Sequence, residues 1–533
     1  ARGVGRSPRA PSFGRAFGRG MAEEETAAVP AEGAAPEADG AADDAGPPEE
    51  AAAPTEEAPA EGAPPEEEAA PAQEAPPEEA PPAEEAPPAE EAAHEVEAPP
   101  EGEEAPEDEA AEASDAANNS QVFAEGEGAA AEEEGITFTE YMANEDIVQA
   151  YEKACVIANR KPSHVVRMSL KTCVEEARDT FRIEAPGNHK LAFTSRLADE
   201  DMLVFSEVFQ PLASCLLRLD ISYNLLTDAG AHTLATGLLR GGASSQLEAL
   251  SLRSNSIGPS GCEAVCQALV RCPAFQSLDF SHNPLGREGG LLVVELLRHS
   301  PNLLELQIKD TESDIDVLVA VGEALLSNEL QLRVCNVENP RIATLQEDHT
   351  IHLGRMLRVN TRLSEIYLGK VKMRDEGVRQ LVSFLLENKT LRVLDLRCNE
   401  LGADGARHLG TLLADDCQIS RLNLSCNRIG EKDNVSGAQA IADALLTNRM
   451  LQHLDLNGNV LCGKALLVLA NAIDQNSTLE TLALFHNHWD QPSAIRFHQI
   501  FSDRARVLPL RADFITSDQT TSIICKVDDL EVN

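Results

Sequence analysis

Residues 391–405 read LRVLDLRCNELGADG, in which Leu391, Leu394, Leu396 and Leu401 surround Asn399 in the frame L-x-x-L-x-L-x-x-N-x-L. The first part alternates apolar and polar residues, as a short strand does. The part that follows, GADGARHLGTLL (402–413), spaces Gly405, Leu409 and Leu413 by four, as along one face of a helix. A strand passing into a helix over so short a stretch cannot bury its apolar face alone, so the phrase has meaning only if neighbours repeat it.

It recurs. Ten registers place the Asn position at Asn224, Asn255, Asn283, Thr311, Pro340, Val371, Asn399, Asn427, Asn459 and Asn487, with spacings between 28 and 32 residues. Four apolar residues in register ten times over describe architecture, so the phrase is one unit of a solenoid rather than a catalytic motif. The asparagine closes each strand, where its amide can bond backbone groups of the turn and of the neighbouring coil that lack partners. Asn224, Asn255, Asn283, Asn399, Asn427, Asn459 and Asn487 are therefore expected to form a structural ladder. It is interrupted at the consecutive departures Thr311, Pro340 and Val371, where local opening should be easiest. Gly230, Gly261, Gly289, Gly377 and Gly405 each lie six residues beyond the Asn position, where a missing side chain is expected to let the helix approach the strand layer.

Over about 215–501, with seven of ten asparagines kept, the chain resembles the ribonuclease-inhibitor-like leucine-rich repeat family. That resemblance implies an α/β solenoid, curved, with parallel strands on the concave face and helices on the convex face. Such a stack exposes apolar ends and needs caps. Residues 135–214 are expected to supply a helical N-terminal cap and a degenerate first repeat, with Leu191, Phe193 and Leu197 of segment 189–209 continuing the apolar line. Residues 215–503 hold the ten repeats, and 504–533, which changes to β-type alternation, is expected to form a β-rich C-terminal cap.

Ahead of the repeats the composition changes. Residues 21–134 carry 38 acidic residues, no Lys or Arg and one aromatic, Phe123, in runs such as APPEEAPPAEEAPPAEE. Too little apolar surface, frequent proline and self-repulsion predict a disordered acidic arm, a solubilising spacer or a weak contact for a basic partner. Residues 1–20 hold five arginines and no acid and precede Met21, and read as an upstream or non-native leader. No run of 18 apolar residues is present, so no helix is expected to span a membrane.

The twelve cysteines include no C-x-x-C pair, which favours reduced thiols and a cytoplasmic setting, with cilium or flagellum and nucleus as alternatives. Cys262 and Cys266, and the phrase LFHNHWD (484–490) with His486, His488 and Asp490, lack the further ligands a metal site needs. The N-x-S/T matches at Asn118, Asn388, Asn434 and Asn476 carry little weight without secretion. No phosphate-binding loop, nucleophile elbow or H-E-x-x-H is present, and Asp415–Asp416 and Asp528–Asp529 read as solvated acids. No catalytic residue, metal or cofactor is assigned.

Function is thus expected on the outward strand positions, one column of which runs Ser222, Arg253, Ser281, Lys309, Glu338, Gly369, Arg397, Ser425, Asn457, Phe485. Arg253, Lys309, Tyr367, Arg397, Arg421, Phe485 and His486 are the candidate contacts for a protein partner, as charge-assisted donors and aromatic anchors. The mixture is no basic stripe and residues 135–533 hold 51 acids against 39 bases, which argues against nucleic acid. The expected protein is a non-enzymatic interaction scaffold, a monomer or part of a hetero-complex, with no membrane. The alternative is a GTPase-activating protein resembling the Ran activators, although in those the acidic segment follows the repeats. A nucleotide-binding immune sensor would need a nucleotide domain ahead of the repeats, and the sequence shows none.

Overall fold

The computed structural model describes residues 138–144, 146–176, 178–239, 245–343 and 348–503, with three two-residue strands between 510 and 522. The expected leader, the acidic arm and most of 504–533 lie outside the described residues.

From Leu216 to Leu510–Arg511 short strands and helices alternate, and each strand pairs in parallel with the next in sequence, giving one twelve-stranded sheet that begins at Phe181–Glu184; Ile515–Thr516 and Thr521–Ser522 form a separate antiparallel pair. The register follows the leucine frame: Leu394 lies opposite Leu422, and Leu422 opposite Leu454. Frame residues such as Leu394, Leu396, Leu401 and Leu409 are completely buried, and one continuous apolar core runs from Phe138 to Ile500. Strands stack about 4.8 Å apart and packed helices about 8–10 Å apart, so the repeat array bends with its strands on the inner, concave side.

A second periodic feature is invisible in residue types. The residue just before the Asn position adopts a left-handed backbone in all ten repeats: Tyr223, Ser254, His282, Asp310, Asn339, Lys370, Cys398, Cys426, Gly458 and His486, with φ between 54° and 62°. In the first nine its N–H donates to a carbonyl of the next repeat, as Tyr223 to Arg253, Lys370 to Arg397 and Cys426 to Asn457, at 2.7–2.9 Å. A left-handed conformation is uncommon for a residue with a Cβ. Here it lets inter-repeat bonding continue past the strand end.

The asparagines complete the turn. Asn427 is buried; its Oδ1 accepts from Asn399 N–H (2.9 Å) and Leu401 N–H (3.1 Å), and its Nδ2 donates to Leu396 O (3.0 Å) and Leu424 O (2.9 Å). At Thr311 the hydroxyl donates to Ile308 O at 2.9 Å, while Leu285 N–H turns back to Asn283 O and Gly286, at φ 64°, donates to Thr311 O. Farther on, Arg341 N–H reaches Ser313 O, and the His349 ring bonds Val371 O at 3.0 Å. The centre thus replaces its ladder with other bonds, and strand pairing runs through it without a break.

A further asparagine ladder lies on the opposite side of the C-terminal repeats. Asn388 donates to Leu357 O and accepts from Thr390 and Leu391 N–H; Asn360, Asn448 and Asn476 do the same at the equivalent position of their repeats, and the repeat between Asn388 and Asn448 lacks this asparagine. Asn388 and Asn476 are buried, so neither N-x-S/T match is open to a glycan.

The glycine expectation needs correcting. A Cβ at Gly261 would lie 2.7 Å from Asp228 Oδ1, and one at Gly405 2.6 Å from Asp375 Oδ1. The space is filled by an aspartate at the start of the preceding repeat's helix, which also accepts Gly258 N–H (2.6 Å) or Gly402 N–H (2.7 Å). These glycines make room for helix-to-helix capping, not for the strand layer.

Ahead of the repeats lie α1 (Phe138–Asn144), α2 (Ile147–Ile157), α3 (His164–Glu176), β1 (Phe181–Glu184) and α4 (Asp199–Phe209). Phe138, Tyr151, Phe181, Phe205 and Phe209 form an aromatic plug with ring centroids 5.2–6.4 Å apart. The outer edge of β1 is occupied from α3, where Ser169 Oγ accepts Glu184 N–H at 2.8 Å and Cys173 Sγ contacts Arg182 O at 3.0 Å, so the edge strand offers no free template for pairing. Leu197 is buried, but Leu191 and Phe193 are 51% and 72% exposed, against expectation. The apolar line continues through Phe181 and Ile183 of β1, because segment 189–197 is a loop that leads into α4.

Candidate functional site: the outer face of the strand layer

Every strand turns alternate side chains outward, and the resulting columns divide the expected contact residues into two groups. Arg253, Lys309 and Arg397 are already engaged. Arg253 donates from Nε to Tyr223 Oη (3.1 Å) and bonds the His282 ring (3.0 Å), and His282 in turn meets Asp310 at 3.2 Å. Lys309 lies 3.2 Å from Glu338, and Arg397 Nε and Nη2 reach the other oxygen of the same carboxylate at 2.7 and 2.5 Å. The Glu338 side chain is 2% exposed, so this is a buried carboxylate shared by two cations on the face itself.

The Arg397–Glu338 contact spans two repeats and passes over Gly369. A Cβ at Gly369 would lie 2.6 Å from Glu338 Oε1 and 2.9 Å from Arg397 Cγ. Asp395 lies beneath Arg397, accepting Arg397 N–H (3.0 Å) and an Asn423 amide hydrogen (2.8 Å). Burial pushes its carboxyl up to about 6, although Arg397 pulls the other way. Asp220 and Asp279, in the same column, are raised by burial too. The column is self-bonded, since Asp220, Asp279, Asn336, Asp395, Asn423 and Asp455 each accept the N–H two residues on.

Toward the C-terminal end the face opens. Arg421 is exposed, Tyr367 is half-buried with its hydroxyl donating to Glu365 at 2.9 Å, and Phe485 is half-buried beside exposed His486 with ring centroids 6.5 Å apart. His453, opposite Arg421 in the next strand, accompanies them, and its ring is held below the usual imidazole range by burial and by Arg421. Sequence reading passed over Glu338, Gly369, Asp395 and His453. Glu338 and Gly369 stood in the outward column, but only a contact across two repeats reveals their roles.

The other candidate groups have structural settings. Cys262 and Cys266 are fully buried with sulfurs 3.8 Å apart, and Asp490 accepts Ser493 N–H at 2.9 Å at the start of the last long helix, with Trp489 packed edge-on against Phe497. Among the described residues no three His, Cys, Asp or Glu side chains converge as metal ligands, and no helix is long and apolar enough to cross a membrane.

Parts of the chain are similar in sequence to known proteins. A family profile described as Leucine Rich repeat matches residues 213–235, 243–266, 387–410 and 447–470. Ribonuclease inhibitor of Sus scrofa is 27% identical over 316 residues, covering 53% of this chain and 62% of that protein. Leucine-rich repeat-containing protein 34 of Mus musculus is 32% identical over 204 residues, covering 38% and 48%. The chain thus spans about half to three-fifths of the length of these curated relatives. Among solved structures, the tropomodulin C-terminal domain of Caenorhabditis elegans aligns with TM-score 0.25 at 16% identity, over 30% of this chain and 92% of that one. With its leucine frame, asparagine ladder and sequential parallel sheet, the chain is built as a leucine-rich repeat solenoid and is similar to ribonuclease inhibitor.

Proposed function

We propose that the chain is a non-enzymatic scaffold that docks a folded protein on the C-terminal half of its strand face, centred on Tyr367, Arg421, His453, Phe485 and His486. Leucine-rich repeat proteins are in general protein-interaction scaffolds, which supports the class of function. The observation that carries the location is the division of the face. Arg253, Lys309 and Arg397 are held by internal partners, whereas Arg421 is exposed and stands with the half-buried rings of Tyr367, His453 and Phe485 on strands paired in register. Arginine and aromatic side chains are the usual anchors of protein interfaces, and a backbone already ordered loses little entropy on binding. The eleven described cysteines are all free thiols, which supports a reducing compartment: cytoplasm first, with cilium or flagellum and nucleus as alternatives.

The test is affinity capture from native extract with the full chain beside the same chain carrying Arg421→Glu and Phe485→Ala, with bound proteins quantified by mass spectrometry. A defined set retained by the wild type and lost by the double variant is expected; equal retention would place the docking surface elsewhere. The GTPase-activating alternative makes a separate demand. Micromolar protein should leave GTP hydrolysis by a Ran-type GTPase unchanged, and acceleration would replace the scaffold reading.

A further inference from the structure

The row of left-handed residues brings two cysteines together. Cys398 and Cys426 occupy the same position in consecutive repeats, with φ of 56° and 58°, so their Cβ atoms leave the backbone in the same direction. Their strands are in register, Asp395 opposite Asn423, and Cys398 N–H donates to Ser425 O at 2.9 Å. Adjacent strands lie about 4.8 Å apart, inside the Cα separations of about 4.4–6.8 Å that a disulfide spans. The two thiols are near enough that each shifts the ionisation of the other.

Access is asymmetric. Cys426 is the exposed cysteine among the described ones, and Cys398 is half-buried behind it. The next residue of the row is Gly458, where a Cβ would lie 3.6 Å from Cys426 Sγ, so the absent side chain leaves that flank of the sulfur open. We propose that Cys398 and Cys426 form a paired-thiol modification site, oxidised by a small-molecule disulfide to a bond that joins the seventh and eighth repeats.

The surrounding charges set the order of events. The neighbouring Cys398 thiol pulls Cys426 down to about 6, helped by Arg397 and His486 and opposed by burial and Asp455. Cys426, with burial, raises Cys398, against Lys370 and Arg397. The exposed member of the pair is therefore the one favoured as thiolate. That thiolate attacks one sulfur of R–S–S–R, forming a Cys426–S–S–R mixed disulfide and releasing R–S⁻. Cys398 then gives up its proton and attacks Cys426 Sγ, expelling the second R–S⁻. Two protein thiols are oxidised to one disulfide while R–S–S–R is reduced to two thiols, and no further oxidant is required. Excess reduced thiol reverses both steps.

The experiment uses the full-length chain with its thiols reduced, equilibrated with graded ratios of oxidised to reduced glutathione, acid-quenched, alkylated and read by peptide mass spectrometry. In the wild type the expected product is a Cys398–Cys426 linked peptide. In Cys398→Ser a glutathione adduct persists on Cys426, and in Cys426→Ser neither product forms. Circular dichroism checks that the variants remain folded. At pH 6, lower intrinsic nucleophilicity offsets part of the gain in thiolate, so Cys426 should alkylate about ten-fold faster than an ordinary thiol of pKa about 8.5. Its rate should rise with a midpoint near 6. A persistent glutathione adduct in the wild type, linkage through other cysteines, or an alkylation midpoint near that of an ordinary thiol would overturn the assignment.

Discussion

Replacing Asn427 by Ala tests the ladder at a position where every bond can be followed. Its amide accepts from Asn399 and Leu401 N–H and donates to Leu396 and Leu424 O. Leu424 O keeps a second donor, Asn459 Nδ2, at 2.8 Å, so three buried backbone groups lose this partner rather than four. At about 1–1.5 kcal/mol for each buried group left unsatisfied, within the usual range, the substitution should remove about 3–5 kcal/mol. Asn427→Thr is the sharper companion. A threonine placed as Thr311 is, with its hydroxyl on the carbonyl three residues back, would serve only Leu424 O, which needs no help. Thr should therefore rescue almost nothing. Repeat arrays open regionally, so amide hydrogen exchange is the decisive assay beside denaturant unfolding. Protection should fall at Asn399 and Leu401 N–H in both variants. A loss under about 1 kcal/mol, with protection unchanged, would show that those groups find other partners and that the ladder is not what holds the turns.

Leu396→Asp places an unpaired charge at a completely buried frame position and should abolish the cooperative melt of several repeats; an unchanged melt would refute the register. Gly369→Ala forces its Cβ between Glu338 and Arg397, and parting a buried ion pair should cost about 3 kcal/mol. An unaltered unfolding midpoint would mean that Arg397 swings aside without penalty. Asp395 gives a pH test. Its folded pKa of about 6 lies above the ordinary carboxylate value, so the native state binds this proton more tightly than the unfolded state. Its contribution to stability is therefore present below about pH 4 and is lost as pH rises toward and through about 6, by roughly 3 kcal/mol in all. Asp220 and Asp279 add in the same direction. Comparing denaturant midpoints at pH 4.5 and 7.5, the wild type should lose more stability than Asp395→Asn, and equal losses would acquit Asp395.

The repeats are legible because one leucine frame fixes both which residues enter the core and where each strand ends. The left-handed row is not, since its residues range from Tyr and Lys to Cys and Gly and only the backbone unites them. The second ladder could have been found: N-x-x-L precedes the strands at Asn360, Asn388, Asn448 and Asn476, but two of those asparagines were read through a glycosylation pattern instead. On the strand face, Arg253, Lys309 and Arg397 have the right chemistry for binding, and a linear reading does not show that Glu338 reaches both Lys309 and Arg397. The role of Gly369 depends on a side chain crossing from the next repeat, so no local pattern encodes it. Likewise, Leu191 and Phe193 suit an apolar line by type, but the loop that carries them turns them to solvent.

The row of left-handed residues also acts as a ruler. Its side chains follow one another at the strand spacing, about 4.8 Å, whereas an extended peptide presents same-side residues about 6.6–6.8 Å apart. The two scales drift out of phase within a couple of repeats, so a linear peptide laid along this rim cannot be read one residue per repeat. A curved surface already folded in the partner, whose groups fall at irregular intervals, suffers no such mismatch. Because backbone bonds to the next repeat hold the first nine left-handed positions, residues of the row can be rewritten one at a time, as their variety shows, while the core beneath keeps its leucines.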